Sequence, residues 1–246
     1  MKILFSPSEA KINGGKDEEI SKDDFIFKNL YPKRLEVLEK YSSFIRKASL
    51  EEKIKIFGTK DSKKIEFYSK DLFSMPKMQA IKRYSGVSYE YLDFNSLNEA
   101  SKEYIGQNLL IFSNLYGILA PNDKIPNYKL KQSEKIKGFA PQDFYLEYFS
   151  KELDSLLEAE NILDLRAGFY KKFYKIKKEY FTMKFVKNNK VVSHFAKAYR
   201  GLILRECAKN NILDFETLMN LEFKNLYIKE IKKIKNETEL VYEIKD

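Results

Sequence analysis

A chain of 246 residues, 43% apolar and 15% aromatic, can bury a substantial core as one unit, and it predicts a single compact domain over residues 1–246. No apolar run approaches the roughly 20 residues of a membrane-spanning helix, and one cysteine, Cys207, excludes an internal disulfide or a thiolate zinc cluster. The balance of 45 Lys and Arg against 36 Asp and Glu leaves +9, which attracts polyanions wherever the excess gathers on one face.

Residues Lys2 to Phe5 read as a short buried strand entering the polar loop Ser6-Pro7-Ser8-Glu9-Ala10-Lys11 and a turn at Asn13-Gly14-Gly15. The amino terminus lacks a signal-peptide core, so a cytoplasmic protein is expected. From Lys33 to Ala48, Leu35, Leu38, Tyr41 and Ile45 recur at helical spacing behind Pro32. Between Pro76 and Leu92 a helix, the glycine turn Tyr84-Ser85-Gly86-Val87 and a second helix are expected. Asn108 to Ser113 is a buried strand candidate leading into a loop of Gly117, Pro121 and Asp123. A helix over Asp143 to Ala159 and a strand over Ile162 to Leu165 continue the alternation. Tyr180 to Val186 alternates in character and turns at Asn188-Asn189 into Val191 to Phe195, predicting a hairpin. Ala196 to Lys209 reads as a helix burying an inert Cys207, and Tyr227 to Ile244 as a last hairpin turning near Asn236. The order predicts an α/β fold (α+β mixed), with a mixed sheet covered by helices.

Four polar clusters interrupt apolar strand ends, where a charge must be paired or used. Ser8, Glu9 and Lys11 either pair with each other or bind a polar ligand. Asp164 and Arg166 flank an apolar residue and share a pleat face, as an internal ion pair or as site residues. His194, the only histidine, followed by Lys197, is either structural or the natural start for a general base. The run Tyr170 to Lys178 interleaves bases with aromatics, either a solvated face over core aromatics or phosphate contacts with stacking through Lys171, Lys172 and Lys175. Arg200 and Arg205 extend a broad basic face from Lys197. No phosphate-binding glycine loop, nucleophile elbow or Cys-x-x-Cys pair occurs, and no His/Cys cluster suggests a metal; no cofactor is expected.

Leu4 to Lys11 with Gly14-Gly15, Phe112 to Asp123 with Ile125 to Leu130, Asp164-Leu165-Arg166 with Tyr170, and Ser193-His194-Phe195 with Lys197 and Arg200-Gly201 together resemble the YaaA family over nearly the whole chain. Ala10, Ala120, Lys129, Ala167 and Ala196 depart from the residues usual there. The resemblance implies a peroxide-stress protein with a mixed fold, a positively charged cleft and a helix-hairpin-helix element for DNA. Residues Tyr84 to Tyr89 are the counterpart suggested for that element. Two functional readings follow. In the first, the protein binds double-stranded DNA without sequence preference through Lys82, Arg83, Gly86, Lys171, Lys172, Lys175, Arg200 and Arg205. In the second, it is an enzyme acting on a nucleotide or nucleic-acid base in a pocket of Glu9, Lys11, Tyr116, Asp164, Arg166, His194 and Lys197. A basic protein docking on an acidic partner is a third.

Overall fold

The computed structural model describes residues 1–188 and 190–245; the side chains at positions 191, 193 and 194 lie outside the description. In chain order the strands are β1 (Lys2–Phe5), β2 (Lys77–Gln79), β3 (Leu109–Ser113), β4 (Gly117–Leu119), β5 (Lys124–Pro126), β6 (Ile162–Asp164), β7 (Tyr180–Lys187), β8 (Lys190–Val191), β9 (Leu226–Ile234) and β10 (Glu237–Ile244). The α-helices are α1 (Tyr31–Lys47), α2 (Leu50–Phe57), α3 (Ser62–Tyr68), α4 (Ala80–Arg83), α5 (Val87–Leu92), α6 (Glu99–Asn108), α7 (Pro141–Leu157), α8 (Ser193–Lys209) and α9 (Phe215–Met219).

Eight strands form one mixed sheet in the order β4-β3-β1-β6-β7-β10-β9, with β8 paired to β7; β2 and β5 form a separate antiparallel pair. The expected mixed α/β architecture is therefore what the chain adopts. β1 is the pivot of the sheet: it runs parallel to β3 on one side and to β6 on the other, with Leu4 opposite both Leu110 and Asp164. The chain visits β3 first and then crosses to β6, so strand order reverses at β1. Loops that leave the carboxyl ends of strands at such a reversal diverge and open a crevice between them. The loops concerned are Ser6 to Lys11 after β1 and Leu165 to Ala167 after β6.

Local chemistry sets most boundaries. Pro32 and Pro141 sit in the first turns of α1 and α7, where a missing N–H costs nothing. Ser49 and Glu52 close a capping box on α2, and Asn98 accepts from the Ser101 N–H to start α6. The hairpin expected from 180 to 195 is shorter than its sequence suggests: β8 has two residues, and α8 begins at Ser193 rather than Ala196. The terminal hairpin turns at Lys235-Asn236, as read from the alternation on either side.

The core joins both faces of the sheet to the helices. Ile3, Ile111, Phe112, Leu163, Phe149, Leu153 and Leu204 are among its fully buried members. Helix α8 packs on β7 and α5, with Gly201 at the α5 crossing: a Cβ there would lie 2.0 Å from the Ser88 carbonyl oxygen, so no side chain fits. The buried thiol of Cys207 is pushed up to about 12, chiefly by burial, which makes it inert. Among the described residues no helix is long and apolar enough to cross a membrane.

Candidate functional site

A cleft of about 400 Å³ opens where the β1 and β6 loops diverge. Phe5 to Ala10 form one wall, Leu165, Ala167 and Tyr170 a second, Gly86 to Tyr89 a third, and Lys197 and Arg200 of α8 a fourth, with Gln132 at the rim. Four segments that are distant in sequence thus share one cavity.

Hydrogen bonds between the walls hold them in register. The Ala167 N–H donates to Ser6 Oγ at 2.8 Å, and Tyr89 Oη donates to the Ser6 carbonyl at 3.0 Å, so the β1 loop is tied to both neighbours. Ser88 Oγ donates to the Lys197 carbonyl at 2.8 Å, which fixes α5 against α8. Gly86 adopts φ +95°, a conformation that favours glycine, and a Cβ there would come within 3.0 Å of Ser8 Oγ. The glycine turn therefore lets backbone line the cavity where a side chain would crowd it.

Glu9 projects from the β1 loop with its side chain 43% exposed. Its carboxylate accepts from Lys129 Nζ at 2.8 Å and from the Gln132 N–H at 3.1 Å. Desolvation pushes its pKa upward, but the bonds from Lys129 and Gln132, with the nearby Lys11 charge, outweigh it and hold the group below its ordinary 4.5. Glu9 is thus an ionised, acceptor-only group at neutral pH. Arg200 is half-buried on the opposite wall, and its guanidinium has no hydrogen-bond partner among the described residues; burial holds it below its ordinary range, and the Asp164 charge acts against that. Lys197 is exposed one turn earlier on the same helix. The cavity is therefore bipolar, with an acceptor on one wall and two cationic donors on another.

The remaining enzyme candidates lie elsewhere. Lys11 is under the loop rather than in the cleft: its ammonium stands 4.0 Å from the Tyr128 ring centre and donates to the Ser8 carbonyl at 3.2 Å. Burial draws it down to about 7, helped by the Lys129 and Arg83 charges and opposed by Glu9. Tyr116 is wholly buried, and its hydroxyl finds no partner among the described residues. Asp164 and Arg166 form the internal ion pair: Nε meets Oδ1 at 2.8 Å and Nη2 meets Oδ2 at 2.9 Å, and the remaining guanidinium nitrogen reaches the Tyr170 and Tyr174 carbonyls. Only their neighbours Leu165 and Ala167 face the cavity. His194 lies in the first turn of α8, and its side chain falls outside the described residues.

The cations expected to meet DNA divide sharply. Gly86 and Arg200 line the cleft. Arg83 is not a surface cation: it is fully buried and donates to the Ile12, Gly14, Pro76 and Ile125 carbonyls, clamping the glycine-rich loop. The helix-turn-helix order around Gly86 is present, but α4 is a single turn in which Ala80, Ile81 and Arg83 are buried. Arg205 is committed to the Leu92 and Asp93 carbonyls at 2.8 and 2.9 Å, closing the carboxyl end of α5. Lys82 is exposed beside a separate groove with Gln79, Lys102 and Glu103. Lys171 stands 4.0 Å from both Asp164 and Glu237, while Lys172 and Lys175 are exposed. Phe173 and Tyr174 are buried and cannot stack on bases; here the interleaved aromatics belong to the core.

Ser6, Gln132, Ser88 and the Lys129 partner of Glu9 are site residues that the sequence reading did not single out as such. Nothing in local spacing marks Gln132, because its role depends on a loop 123 residues away.

Comparison with known proteins finds relatives along most of the chain. The profile of a family described as peroxide stress protein YaaA matches residues 1–232. An uncharacterized protein of Campylobacter jejuni is 51% identical over the full length of both chains. A UPF0246 protein of Finegoldia magna is 33% identical over 69% of this chain and 64% of its own, and one of Corynebacterium glutamicum is 30% identical over 85% of each. With a match that spans every loop of the cleft, this chain belongs to the YaaA family of peroxide stress proteins.

Proposed function

We propose that the protein acts in the peroxide stress response as an enzyme on a nucleotide or nucleic-acid base, held in the cleft at the carboxyl ends of β1 and β6. The observation that carries the reading is the bipolar cavity: Arg200, which makes no hydrogen bond among the described residues, and Lys197 on one wall, ionised Glu9 on another, in about 400 Å³. That volume suits one nucleotide-sized ligand. A guanidinium and an ammonium on one helix face suit a phosphate. The Gly86 backbone allows close approach, Phe5, Tyr89 and Tyr170 give an apolar wall for a ring, and Glu9 accepts from ring N–H or amino groups.

Titration calorimetry with nucleoside monophosphates tests this. Arg200→Ala is expected to weaken binding by about tenfold or more, the worth of a charge-assisted hydrogen bond, and Glu9→Gln to impair turnover or base preference. Binding that is indifferent to both substitutions would remove the cleft from consideration.

A second reading, sequence-independent binding of duplex DNA, is favoured by the +9 charge and the exposed Lys172 and Lys175. It requires log affinity to fall linearly with log salt, by about 0.9 per phosphate neutralised. Lys172→Ala with Lys175→Ala would then flatten the slope, whereas cleft substitutions would leave it unchanged.

A further inference from the structure

One polar group of the cleft is used by none of its walls. Tyr170 is 4% exposed and opens the short 3-10 turn Tyr170–Phe173 that follows the β6 loop. Its backbone and ring are held in place: the N–H donates to the Ala167 carbonyl at 2.9 Å, the carbonyl accepts from Arg166 Nη1 at 3.3 Å, and the ring packs on Phe169 and Phe173 with centres 5.2 and 6.1 Å away. The hydroxyl, by contrast, has no hydrogen-bond partner among the described residues. Tyr116 and Tyr242 also carry orphan hydroxyls, but those are sealed in the core; that of Tyr170 is not sealed, and opens on the cavity its residue lines. Burial above all, then the Tyr84 and Glu9 groups, push its pKa up, so at neutral pH it stays an O–H that donates. Glu9, for its part, has acceptor capacity to spare. An ionised carboxylate offers about four lone-pair positions, two on each oxygen. Lys129 takes one on Oε2 and the Gln132 N–H takes one on Oε1. One position is left on each oxygen, and two carboxylate oxygens side by side suit two neighbouring N–H donors.

We propose, resting on the nucleotide reading of the cleft, that the base it takes is guanine, with Glu9 accepting from N1–H and the N2 amino group and Tyr170 Oη donating to O6. Guanine presents donor, donor and acceptor in that order along its pairing edge, and the two residues together offer acceptor, acceptor and donor. Adenine would set the N1 lone pair and a C–H against the carboxylate. Cytosine carries one amino group beside two acceptors, and uracil and thymine carry one N–H between two carbonyls, so each leaves a carboxylate oxygen unmet or facing a lone pair. A site built to hydrogen-bond a substrate N–H rejects the analogue that lacks it, because its own polar groups are then left unpaired. Arg200 and Lys197 on the α8 wall remain for the phosphate. The buried Asp164–Arg166 pair acts as a positioning element, since Arg166 holds the Tyr170 carbonyl and with it the turn that carries the hydroxyl. Guanine in a free nucleotide and an unpaired guanine in a strand present the same edge.

Titration calorimetry of the full chain with GMP, IMP and AMP reads the preference. GMP should bind about tenfold tighter than AMP or better, and IMP, which keeps N1–H and O6 but lacks the N2 amino group, should fall between them. Tyr170→Phe removes only a hydroxyl that no described protein group uses, so it should weaken GMP by about fivefold with an unchanged melting temperature. Glu9→Gln, with one donor and one acceptor in place of two acceptors, should erase the preference for GMP over IMP, its fold checked by melting. A short single-stranded oligonucleotide with one guanine identifies the source: binding tighter than GMP assigns the site to a base in a strand, weaker binding to the free nucleotide. Equal binding of GMP and AMP, each still weakened by Arg200→Ala, overturns the guanine assignment and leaves the nucleotide reading standing. A GMP preference that survives both Tyr170→Phe and Glu9→Gln overturns the assignment as well. Binding of no nucleotide and no oligonucleotide removes both.

Discussion

The Asp164–Arg166 pair, buried behind one wall of the cleft, and the Lys197–Arg200 face, which forms another wall, are opposite kinds of chemistry. Arg166 is 3% exposed and spends its guanidinium on Asp164 and two carbonyls. Arg200 is half-buried and makes no hydrogen bond or close ion pair among the described residues; only the Asp164 charge acts on it through space. Arg34, donating to the Tyr116 and Ile118 carbonyls, and Arg83 and Arg205 side with Arg166. An arginine within a family motif is therefore no indication by itself of a ligand contact; the presence or absence of an internal partner is what separates scaffold from site.

The comparison is easiest to break at the buried pair. Arg166→Ala leaves the Asp164 carboxylate uncompensated in the core and is expected to cost about 3–5 kcal/mol in urea unfolding. The double variant Asp164→Leu with Arg166→Met should cost less than either single change, because neither charge is then stranded. Next comes Arg83→Met, which strips donors from buried carbonyls and should cost about 2–3 kcal/mol. An Arg83 variant of normal stability that lost DNA affinity instead would return this residue to the binding surface.

Lys11 sharpens the comparison through pH. Its folded pKa is about 7 against an ordinary 10.5, so between those values the unfolded chain binds more protons than the folded one. Stability should then rise as pH increases from about 7 toward 10, and Lys11→Met should flatten that rise. Glu9 has the opposite reach: its depressed pKa contributes stability above 4.5 that is lost as pH falls through its folded value. The smallest effects belong to the open face. Arg200→Ala and Lys172→Ala should each shift unfolding by no more than about 0.5 kcal/mol, while Arg200→Ala alone is expected to weaken nucleotide binding. A large stability loss at Arg200 would show that it has a structural duty.

Much of the frame was legible because its signals are local. The strand Lys2–Phe5, the helices over 31–47 and 141–157, and the turn near Asn236 follow from periodicity, prolines and turn residues within a few positions. The basic-aromatic run after Tyr170 misled toward nucleic-acid stacking, since alternation cannot say that Phe173 and Tyr174 face α7, or that Lys178 donates to the Leu157, Glu158 and Glu160 carbonyls at its carboxyl end. The early start of α8 was missed because β-branched residues at 191 and 192 extend the strand pattern up to its first turn.

By itself the sequence determined the alternation of strands and helices, the net positive charge and the set of motif loops, all properties of neighbouring residues or of composition. Only the tertiary structure decided which cations remain free and which walls meet. Glu9 is paired by a lysine 120 residues away, and Arg83 is silenced by a carbonyl 71 residues away. Such assignments depend on where the reversal of strand order at β1 brings distant loops, and on competition among buried carbonyls and carboxylates for the same donors.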